Sequence, residues 1–430
     1  MPCRERFAPI NGLGKFMHDI VQSIQTFNAG RDPDRLAMKL AKMRTSPFVF
    51  LRGTCHRFYD RLPKDGLFDK APGAWLCGDA HLENFGTYKG DNRLAYFDIN
   101  DFDEGALAPV TWDLVRMLCS ILLAGETVRA TANESIVLCH EFIDSYARTL
   151  SSGKACWVER ETAQGLIRDL LLEIEQRRRV DFLDKRSDCK GKKRAIKLDG
   201  KHALPVTLTQ RGQVTHLIEE FARTQPDPAF FEVIDVARRI AGTGSLGVDR
   251  YAILVHGKGC PDGNYLLDLK RAMPSEIARH SALKQPSWTS EAHRVVAVQR
   301  RMQAVSMAFL NPIEWQHSSY ILRALQPTED RVSLADEGLA LADIQRVIGS
   351  MGHVMASAHL RSSGRQGSAI ADDLIMFAEA RTDWRDRLVD AAQSCADDVV
   401  SDWRAYSSTY DGGAFANAAV AKTKAKARAE

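Results

Sequence analysis

The sequence lacks long apolar runs. No stretch approaches the roughly 18 apolar residues that a membrane-spanning helix needs, and the N-terminal MPCRERFAPINGLGKF has no apolar core of the kind found in signal peptides. These two absences predict a protein without a membrane span, and we expect a cytoplasmic location.

An excess of one sign of charge is also lacking. The 430 residues carry 58 lysines and arginines against 55 aspartates and glutamates, so the formal net charge is only +3. So small an excess gives no strong signal for nucleic-acid binding by the surface as a whole. Any charged partner must therefore be recognised locally.

Paired cysteines and several well-known catalytic motifs are missing. The nine cysteines are odd in number and include no CxxC pair, which favours reduced, mostly buried thiols over a disulfide framework or a zinc knuckle. The chain has no HExxH, GxxxxGK[ST] or GxSxG motif and no internal repeat. What remains is the composition of an ordinary globular protein, 45% hydrophobic and 26% charged, long enough for two or three domains.

Apolar periodicity divides the chain into helical and strand-like regions. Residues 16–62 repeat apolar positions every three or four residues, as do most segments of 111–180 and of the chain after 290, and this spacing predicts helices. The short runs GAWLCGD and NRLAYFDINDFDE predict two strands that each end in acidic residues.

Residues 177–201 form a basic, polar stretch with little periodicity. Because blocks of like charge are usually solvated, this stretch is predicted to be a linker or mobile loop. The alternative is a local clamp for a phosphorylated or acidic substrate.

The stretch GDAHLENFG, residues 78–86, places many polar side chains directly after apolar residues. Asp79 and Asn84 lie in it, and a second acidic strand end follows within about twenty residues. A hard divalent cation takes oxygen ligands, and phosphoryl transfer also needs a carboxylate that orients the attacking hydroxyl. One asparagine and two aspartates from adjacent loops supply such a set. An EF-hand loop starting at Asp98 or Asp101 is excluded, because its twelfth position would hold proline or tryptophan instead of glutamate.

The motif GDAHLEN resembles the catalytic loop of aminoglycoside phosphotransferase-like and choline kinase-like enzymes. The resemblance implies that Asp79 is the catalytic aspartate, that Asn84 binds magnesium and that His81 supports the loop. Cys77 stands where those enzymes usually have a histidine.

The same resemblance implies a second metal-binding aspartate about a dozen residues before an aspartate at the start of the next helix. Asp101 precedes Phe102 and lies twelve residues before Asp113 of WDLVR. Asp101 is therefore preferred, with Asp98 as the runner-up and Asp103 as a further alternative. Asp113 would support the backbone of the catalytic loop from its helix.

A glycine-rich stretch, GTGSLG, follows much later in the chain. Its residues, called the glycine loop below, are Gly242, Thr243, Gly244, Ser245, Leu246 and Gly247. A strand-like segment comes next, whereas a dinucleotide-binding loop is followed by a helix. The N-lobe of a kinase has the order strand, glycine loop, strand, turn and strand with a lysine. Its loop and its lysine contact the phosphates of the nucleotide.

Lys270, in YLLDLKRA, would be the lysine of this arrangement. The alternative is a charged residue that protects a sheet edge from pairing with other chains. A kinase-like site also needs a helical glutamate to hold the lysine, and Glu276 and Glu291 are both candidates.

The order of the motifs differs from that of ordinary kinases, because the glycine loop follows Asp79 by more than 160 residues. Chain termini often lie close together in compact domains, so a circular permutation of the same pieces is physically tolerable. Several ordered motifs between about residues 30 and 400, among them SPFVFLRG, GDAHLENFG, WDLVR, GTGSLG and DLKRA, resemble a bacterial family known as domain of unknown function 2252. The resemblance implies an α+β, kinase-like fold with two lobes, circularly permuted, with a mainly helical C-lobe and a small antiparallel sheet in the N-lobe.

This interpretation divides the chain into five segments. Residues 1–60 form a helical segment on the C-lobe, and 61–225 carry the catalytic loop and the metal-binding strand. Residues 226–328 form the N-lobe with the glycine loop and the lysine. Residues 329–415 are the last C-lobe helices, and 416–430 are a disordered tail.

The function expected from these residues is ATP- and magnesium-dependent transfer of phosphate to a hydroxyl of a small molecule or a protein. Asp79 would accept the hydroxyl proton, Asn84 and Asp101 would bind Mg²⁺, Lys270 would bind the α- and β-phosphates, and the glycine loop would cap them. The alternatives are AMP transfer from a nucleotide bound in reverse and a nucleotide-binding pseudokinase regulator without turnover.

Overall fold

The computed structural model describes residues 11–326, 330–381 and 383–415, with side chains from residue 19 onward. Within these ranges the helices are α1 (Asn11–Phe27), α2 (Pro33–Met43), α3 (Pro47–Gly53), α4 (Cys55–Asp60), α5 (Gly66–Asp69), α6 (Thr111–Leu123), α7 (Ala132–Ser152), α8 (Gly165–Gln176), α9 (Arg179–Arg186), α10 (Leu208–Ala222), α11 (Glu276–His280), α12 (Glu291–Met302), α13 (Leu341–Ser362), α14 (Ala371–Glu379) and α15 (Trp384–Asp411). Side-chain caps fix several of the starts. Thr131, for example, forms a capping box with Glu134 at the start of α7.

The strands pair only with antiparallel neighbours. They are β1 (Gly73–Leu76), β2 (Phe85–Lys89), β3 (Ala95–Ile99), β4 (Ala106–Pro109), β5 (Ser187–Lys190), β6 (Lys193–Ile196), β7 (Ala203–Leu204), β8 (Val233–Arg239), β9 (Arg250–Val255), β10 (Tyr265–Arg271), β11 (Asn311–Trp315) and β12 (Ser318–Ala324). Six of them form one sheet in the order β11-β12-β10-β9-β8-β7, and β1-β4, β2-β3 and β5-β6 form three two-stranded sheets. The protein is therefore α+β, as the sequence predicts.

The predicted succession of strand, glycine loop, strand, turn and strand is confirmed. β8 leads into the glycine loop, β9 follows it, and β10 pairs with β9 so that Lys270 lies opposite Arg250. β10 is flanked by β9 and β12 and is not an edge strand of the sheet. This placement contradicts the interpretation of Lys270 as an edge-protecting residue.

Most of the helices share one core with the strands β1 and β4. This largest hydrophobic cluster includes buried side chains of α6, α7, α13, α15, β1 and β4. α13 packs closely along α7 because Gly352 has no side chain: a Cβ there would lie 2.3 Å from the carbonyl oxygen of Phe142. A second cluster joins one face of the six-stranded sheet to α10 through residues such as Ile253 and Leu267. Asp268 and Lys270 alternate along β10 with Leu267 and Leu269 of this cluster, so they lie on the opposite face of the sheet.

The prediction of a linker or mobile loop at 177–201 is wrong. The stretch forms α9 and the β5-β6 hairpin. Its few apolar residues, Leu183 and Ile196 among them, pack against the six-stranded sheet, and the buried Arg194 side chain lies 2.6 Å from Asp184. Isolated apolar residues at such a spacing give no periodic signal, so only the tertiary packing reveals the helix and the hairpin.

No helix of the described residues is long and apolar enough to cross a membrane. The eight described cysteines are free, and five of them are buried. The tail predicted for 416–430 lies outside the described residues.

Candidate functional site

The loop that carries Asp79 is held by a buried aspartate of α6. Asp113 Oδ2 accepts a hydrogen bond from the backbone amide of Cys77 at 2.9 Å, and Oδ1 accepts one from Gly78 at 3.0 Å. Gly78 has φ +89°, a conformation that a residue with a Cβ rarely adopts. The position of Asp79 is thus fixed by the residues directly before it, in the role expected for Asp113.

The carboxylate of Asp79 is bound by an arginine that the sequence analysis did not single out. Arg116 is fully buried, and its Nε and Nη2 lie 3.0 and 2.5 Å from Asp79 Oδ1. Arg116 follows Asp113 by three positions on α6, so both side chains lie on one helix face. That spacing in WDLVR is a signal from which Arg116 could have been identified.

Asn84 connects the loop that carries Asp79 to the acidic segment after β3. Its Nδ2 donates hydrogen bonds to the carbonyl oxygens of Asp79 at 3.2 Å and of Asp101 at 3.1 Å. No described residue donates a hydrogen bond to its Oδ1. The side chain of Asn84, which is 2% exposed, thus keeps its amide oxygen free of the hydrogen bonds that tie its nitrogen to the backbones of two aspartates.

Lys270 reaches the same acidic segment from the six-stranded sheet. Its Nζ lies 3.4 Å from Asp101 Oδ2 and also forms an ion pair with Asp103. Burial acts to raise the pKa of Asp101, but the charges of Lys270, Arg323 and Arg250 outweigh burial and lower it. The pKa of Asp103 is raised, by burial first and then by the Asp101 carboxylate.

The other acidic residues expected near this point lie elsewhere. Asp98 is directed away: its Oδ2 accepts a hydrogen bond from the amide of Ala304 at 3.0 Å and lies 3.2 Å from Arg361. Glu291 pairs with Arg294 in α12 at 2.6 Å. None of the contacts of Asp98 or Glu291 in the described structure involves Lys270.

Glu276 does not contact Lys270 either. Its carboxylate pairs with Arg279 at 3.0 Å, and its backbone amide donates to Glu104 at 2.6 Å. The structure therefore brings Lys270 to Asp101 and Asp103 and leaves both candidate glutamates apart from it. Asp101 and Asp103 pair with Lys270, whereas a helical glutamate was predicted as its partner.

The glycine loop lies directly over Asp79. A Cβ at Gly244 would stand 3.0 Å from the carbonyl oxygen of Arg52 and 3.9 Å from Asp79 Oδ2. Gly247 has φ +88°, and a Cβ there would meet Arg31 at 2.8 Å. Gly244 is suited to the close approach of the loop, and Gly247 to its backbone conformation. Arg52 itself pairs with Glu83 at 2.6 Å and so ties two helical segments together.

Two basic side chains of the N-terminal segment, Arg31 between α1 and α2 and Lys39 in α2, hold the glycine loop in this position. Arg31 Nη1 donates to the carbonyl oxygens of Gly244 at 2.6 Å and Leu246 at 3.0 Å. Lys39 Nζ donates to Gly244 O at 3.2 Å. Burial lowers the pKa of Arg31 to about 10, while the carboxylate of Glu104 opposes the decrease. No sequence pattern predicts these contacts, because they join residues more than 200 positions apart.

A buried aspartate surrounded by arginines lies on the sheet face next to Lys270. Asp268 is 1% exposed, and its carboxylate lies 2.8 Å from Arg239, 2.6 Å from Arg250 and 3.2 Å from Arg323. Burial opposes ionisation of Asp268, but the three guanidinium groups hold its pKa well below the usual range. With Lys270, four basic side chains lie close to the carboxylates of positions 101, 103 and 268.

Glu104 is a further carboxylate of the site that sequence reasoning missed. Its Oε2 accepts the amide hydrogen of Glu276 at 2.6 Å. Burial raises the pKa of Glu104 to about 7, and the charges of Asp79 and Asp103 act in the same direction, although Arg294 opposes them. An acid with this pKa exchanges its proton near neutral pH.

This raised pKa predicts a pH-dependent effect of Glu104→Gln. A carboxyl with a raised folded-state pKa stabilises the protein below its unfolded pKa, and the contribution is lost as the pH rises through about 7. We expect Glu104→Gln to increase the free energy of unfolding by about 2 kcal/mol at pH 8 and by much less at pH 5. The value at pH 8 is smaller than the whole pKa shift would give, because the side chain is partly exposed. Urea unfolding at both pH values measures the difference. The exposed Glu175→Gln serves as control, and equal effects of Glu104→Gln at the two pH values would contradict the prediction.

The side-chain oxygen atoms of this site form only a partial set of magnesium ligands. The described residues contain no cluster of three or more histidine, cysteine, aspartate or glutamate side chains arranged to hold a metal by themselves. Mg²⁺ commonly takes only one or two protein carboxylates, and phosphate oxygens and waters complete its shell. Asp101, Asp103 and the Oδ1 of Asn84 offer such a partial set.

Comparison with known proteins identifies one family. The profile described as "Uncharacterized protein conserved in bacteria (DUF2252)" matches residues 31–409. No curated protein and no solved structure matches the chain. The matched range includes Asp79, the glycine loop and Lys270.

Proposed function

The chain belongs to this family of uncharacterised bacterial proteins, and we propose that it is an ATP- and magnesium-dependent phosphotransferase with a circularly permuted, two-lobed kinase-like fold. The contact between Lys270 and Asp101, 3.4 Å apart, carries the proposal. It joins the lysine after the glycine loop to the acidic segment after the catalytic loop. The hydrogen bonds of Asn84 to both loops extend this arrangement to Asp79.

Each residue has a role that its surroundings support. Asp79, fixed by Arg116 and by the Asp113-bound backbone, would orient the acceptor hydroxyl and take its proton while that oxygen bonds to the γ-phosphorus and the bond to ADP breaks. Bound magnesium would neutralise charge on the phosphates. Lys270 would contact the nucleotide phosphates in place of one of its two carboxylate partners.

The glycine loop must move for a nucleotide to enter. A Cβ on Gly244 would already be in van der Waals contact with Asp79, so a phosphate group needs the loop to swing outward. Arg31 and Lys39 hold the loop by its carbonyl oxygens, and these bonds would break or shift on opening. Loop opening of this kind is a common gate in phosphotransferases.

Binding of Mg-ATP tests whether the two distant motifs form one site. Ligand at about a hundred times its dissociation constant stabilises the folded protein by roughly 2.7 kcal/mol, which corresponds to a rise of a few degrees in Tm. We expect this rise in the wild type and its loss in Lys270→Met and Asp101→Asn. Thermal unfolding with and without Mg-ATP measures it, and the exposed Asp262→Asn should respond as the wild type does.

Two outcomes would contradict the proposal. One is a folded wild type that shows no shift with millimolar Mg-ATP, and the other is a shift that persists in both site variants. ATP labelled at the α- or the γ-phosphate then identifies the transferred group, because only AMP transfer carries the α-label to the acceptor.

A further inference from the structure

Two of the side chains that hold the glycine loop are basic and have no carboxylate partner. Lys39 is 0% exposed, and Arg31 is partly buried. Arg31 donates hydrogen bonds to two carbonyl oxygens of the glycine loop. Lys39 donates to one of the same oxygens, that of Gly244, and at 2.8 Å to the amide oxygen of Asn28. Neither side chain forms an ion pair with a carboxylate of the described residues, so the acceptors of both are uncharged.

Other buried basic side chains near the candidate site have a carboxylate partner. Arg116, Arg250 and Lys270 each contact an aspartate. A charge that is removed from water is normally paired with an opposite charge, because its desolvation otherwise costs free energy. Arg31 and Lys39 lack the kind of partner that these neighbours have, and an anion that binds from outside the chain would supply it.

An aromatic ring places the two basic groups side by side. Arg31 Cζ lies 5.1 Å and Lys39 Nζ lies 5.2 Å from the centroid of the Phe27 ring. Both side chains also donate to the same atom, the carbonyl oxygen of Gly244. A Cβ on that glycine would stand 3.9 Å from Asp79 Oδ2. The two donors therefore converge on one point close to Asp79, an arrangement that suits the oxygens of a phosphate group.

The electrostatics of the pair also favour a bound anion. Burial lowers the pKa of Lys39 well below its usual range, and the charge of Arg31 lowers it further, although the carboxylate of Asp79 opposes the decrease. Burial lowers the pKa of Arg31 as well, to about 10. An anion between the two groups would stabilise the charged form of both.

The glycine loop covers this point only while it is closed. When the loop swings outward to admit a nucleotide, the carbonyl oxygen of Gly244 leaves both donors. We propose that Arg31 and Lys39 then form a phosphate site, which takes the terminal phosphate of the nucleotide in place of that carbonyl oxygen. The identity of the ligand rests on the proposed phosphotransfer, whereas anion binding by the two side chains does not.

The phosphate site adds two catalytic residues to the proposed reaction. Arg31 and Lys39 stabilise the negative charge on the phosphoryl oxygens while the acceptor oxygen bonds to the γ-phosphorus, the bond to ADP breaks and the hydroxyl proton passes to Asp79. Both residues belong to the segment formed by α1 and α2. The resemblance to kinases, in contrast, rests on the loop that carries Asp79, the glycine loop and the strand of Lys270.

The same contacts could serve only to keep the loop closed, and nucleotide binding separates the two roles. A latch hinders the entry of ATP and of ADP equally, so its removal would strengthen the binding of both. A site for the terminal phosphate contributes to the binding of ATP alone, because ADP lacks that group. Its removal would therefore weaken the preference for ATP.

The dissociation constants of Mg-ATP and Mg-ADP, measured by isothermal titration calorimetry on the full-length protein, test the proposal. We expect the wild type to bind Mg-ATP about a hundredfold more tightly than Mg-ADP, since each charge-assisted hydrogen bond contributes about tenfold. Arg31→Gln and Lys39→Met should each reduce this preference to about tenfold or less. The matched controls are Lys42→Met, at an exposed position of α2, and Arg44→Gln, directly after α2 with a side chain that is 48% exposed. Both should keep the preference of the wild type.

Three results would overturn the proposal. They are a wild type without preference for Mg-ATP, an unchanged preference in the folded variants, and equally strengthened binding of both nucleotides in the variants. Arg31→Gln decides alone if Lys39→Met does not fold, because the side chain of Arg31 is partly exposed. If Mg-ATP still raises Tm and Lys270→Met abolishes the rise, phosphotransfer survives and only the role of Arg31 and Lys39 fails.

Inorganic tripolyphosphate decides the case in which neither nucleotide binds. A rise in Tm with tripolyphosphate that Arg31→Gln and Lys39→Met both lose would support the phosphate site and reject the proposed phosphotransfer. A folded wild type that shows no rise with tripolyphosphate or with Mg-ATP would reject both.

Discussion

Replacing Asp79 by asparagine is expected to reduce kcat for phosphoryl transfer by a factor of about 10² to 10⁴, the usual contribution of a positioned proton acceptor. The amide keeps the size of the side chain and one oxygen for Arg116, but it cannot take the hydroxyl proton. The thermal shift with Mg-ATP should remain, because the nucleotide contacts proposed for Lys270 and Asp101 are intact.

The control for this variant lies in the same loop. Glu83 also carries a carboxylate and follows Asp79 by four positions. It pairs with Arg52 at 2.6 Å and with Arg331 at 3.0 Å, and it contacts none of the proposed reacting groups. Glu83→Gln should therefore keep kcat within a small factor of the wild type. If Asp79→Asn, folded and binding Mg-ATP, transferred phosphate at the wild-type rate, Asp79 would not be the catalytic aspartate.

The second large effect is on stability. Asp268→Asn is expected to lower the free energy of unfolding by about 3–5 kcal/mol, because it leaves Arg239, Arg250 and Arg323 buried without their shared counter-charge. Chemical denaturation at neutral pH measures the loss.

An exposed aspartate in a turn between two strands of the same sheet provides the comparison. Asp262, between β9 and β10, lies 3.3 Å from Arg194, and its side chain is 64% exposed. Pairs of this kind contribute about 1 kcal/mol or less, so Asp262→Asn should have a small effect. A loss of similar size in both variants would show that burial of the arginine cluster does not govern the cost.

The asparagine variant also probes the charge balance of the candidate site. Asp268 neutralises part of the positive charge close to Lys270, and its removal raises the local excess of cations. A polyphosphate would supply the missing negative charge. Mg-ATP should therefore increase the free energy of unfolding of Asp268→Asn by more than it increases that of the wild type.

The sequence by itself determined the local pieces of this protein. The spacing of Asp79, Asn84 and Asp101, together with the resemblance that added Asp113, predicted that these residues lie close together, because their positions follow from neighbouring strands, turns and a helix start within about 35 residues. The glycine loop and the strand of Lys270 were likewise readable, since turn residues and strand alternation are local signals.

Only the tertiary structure decided which pieces meet. Lys270 contacts Asp101 across 169 positions of the chain, and Arg31 binds the glycine loop across more than 200. The sequence left Asp98 and Asp101 as alternatives, and Glu276 and Glu291 as partners for the lysine. Such choices depend on how whole helices and sheets pack. The free energy of that packing comes from burial and pairing between distant segments, and contacts of this kind produce no periodic pattern in the sequence.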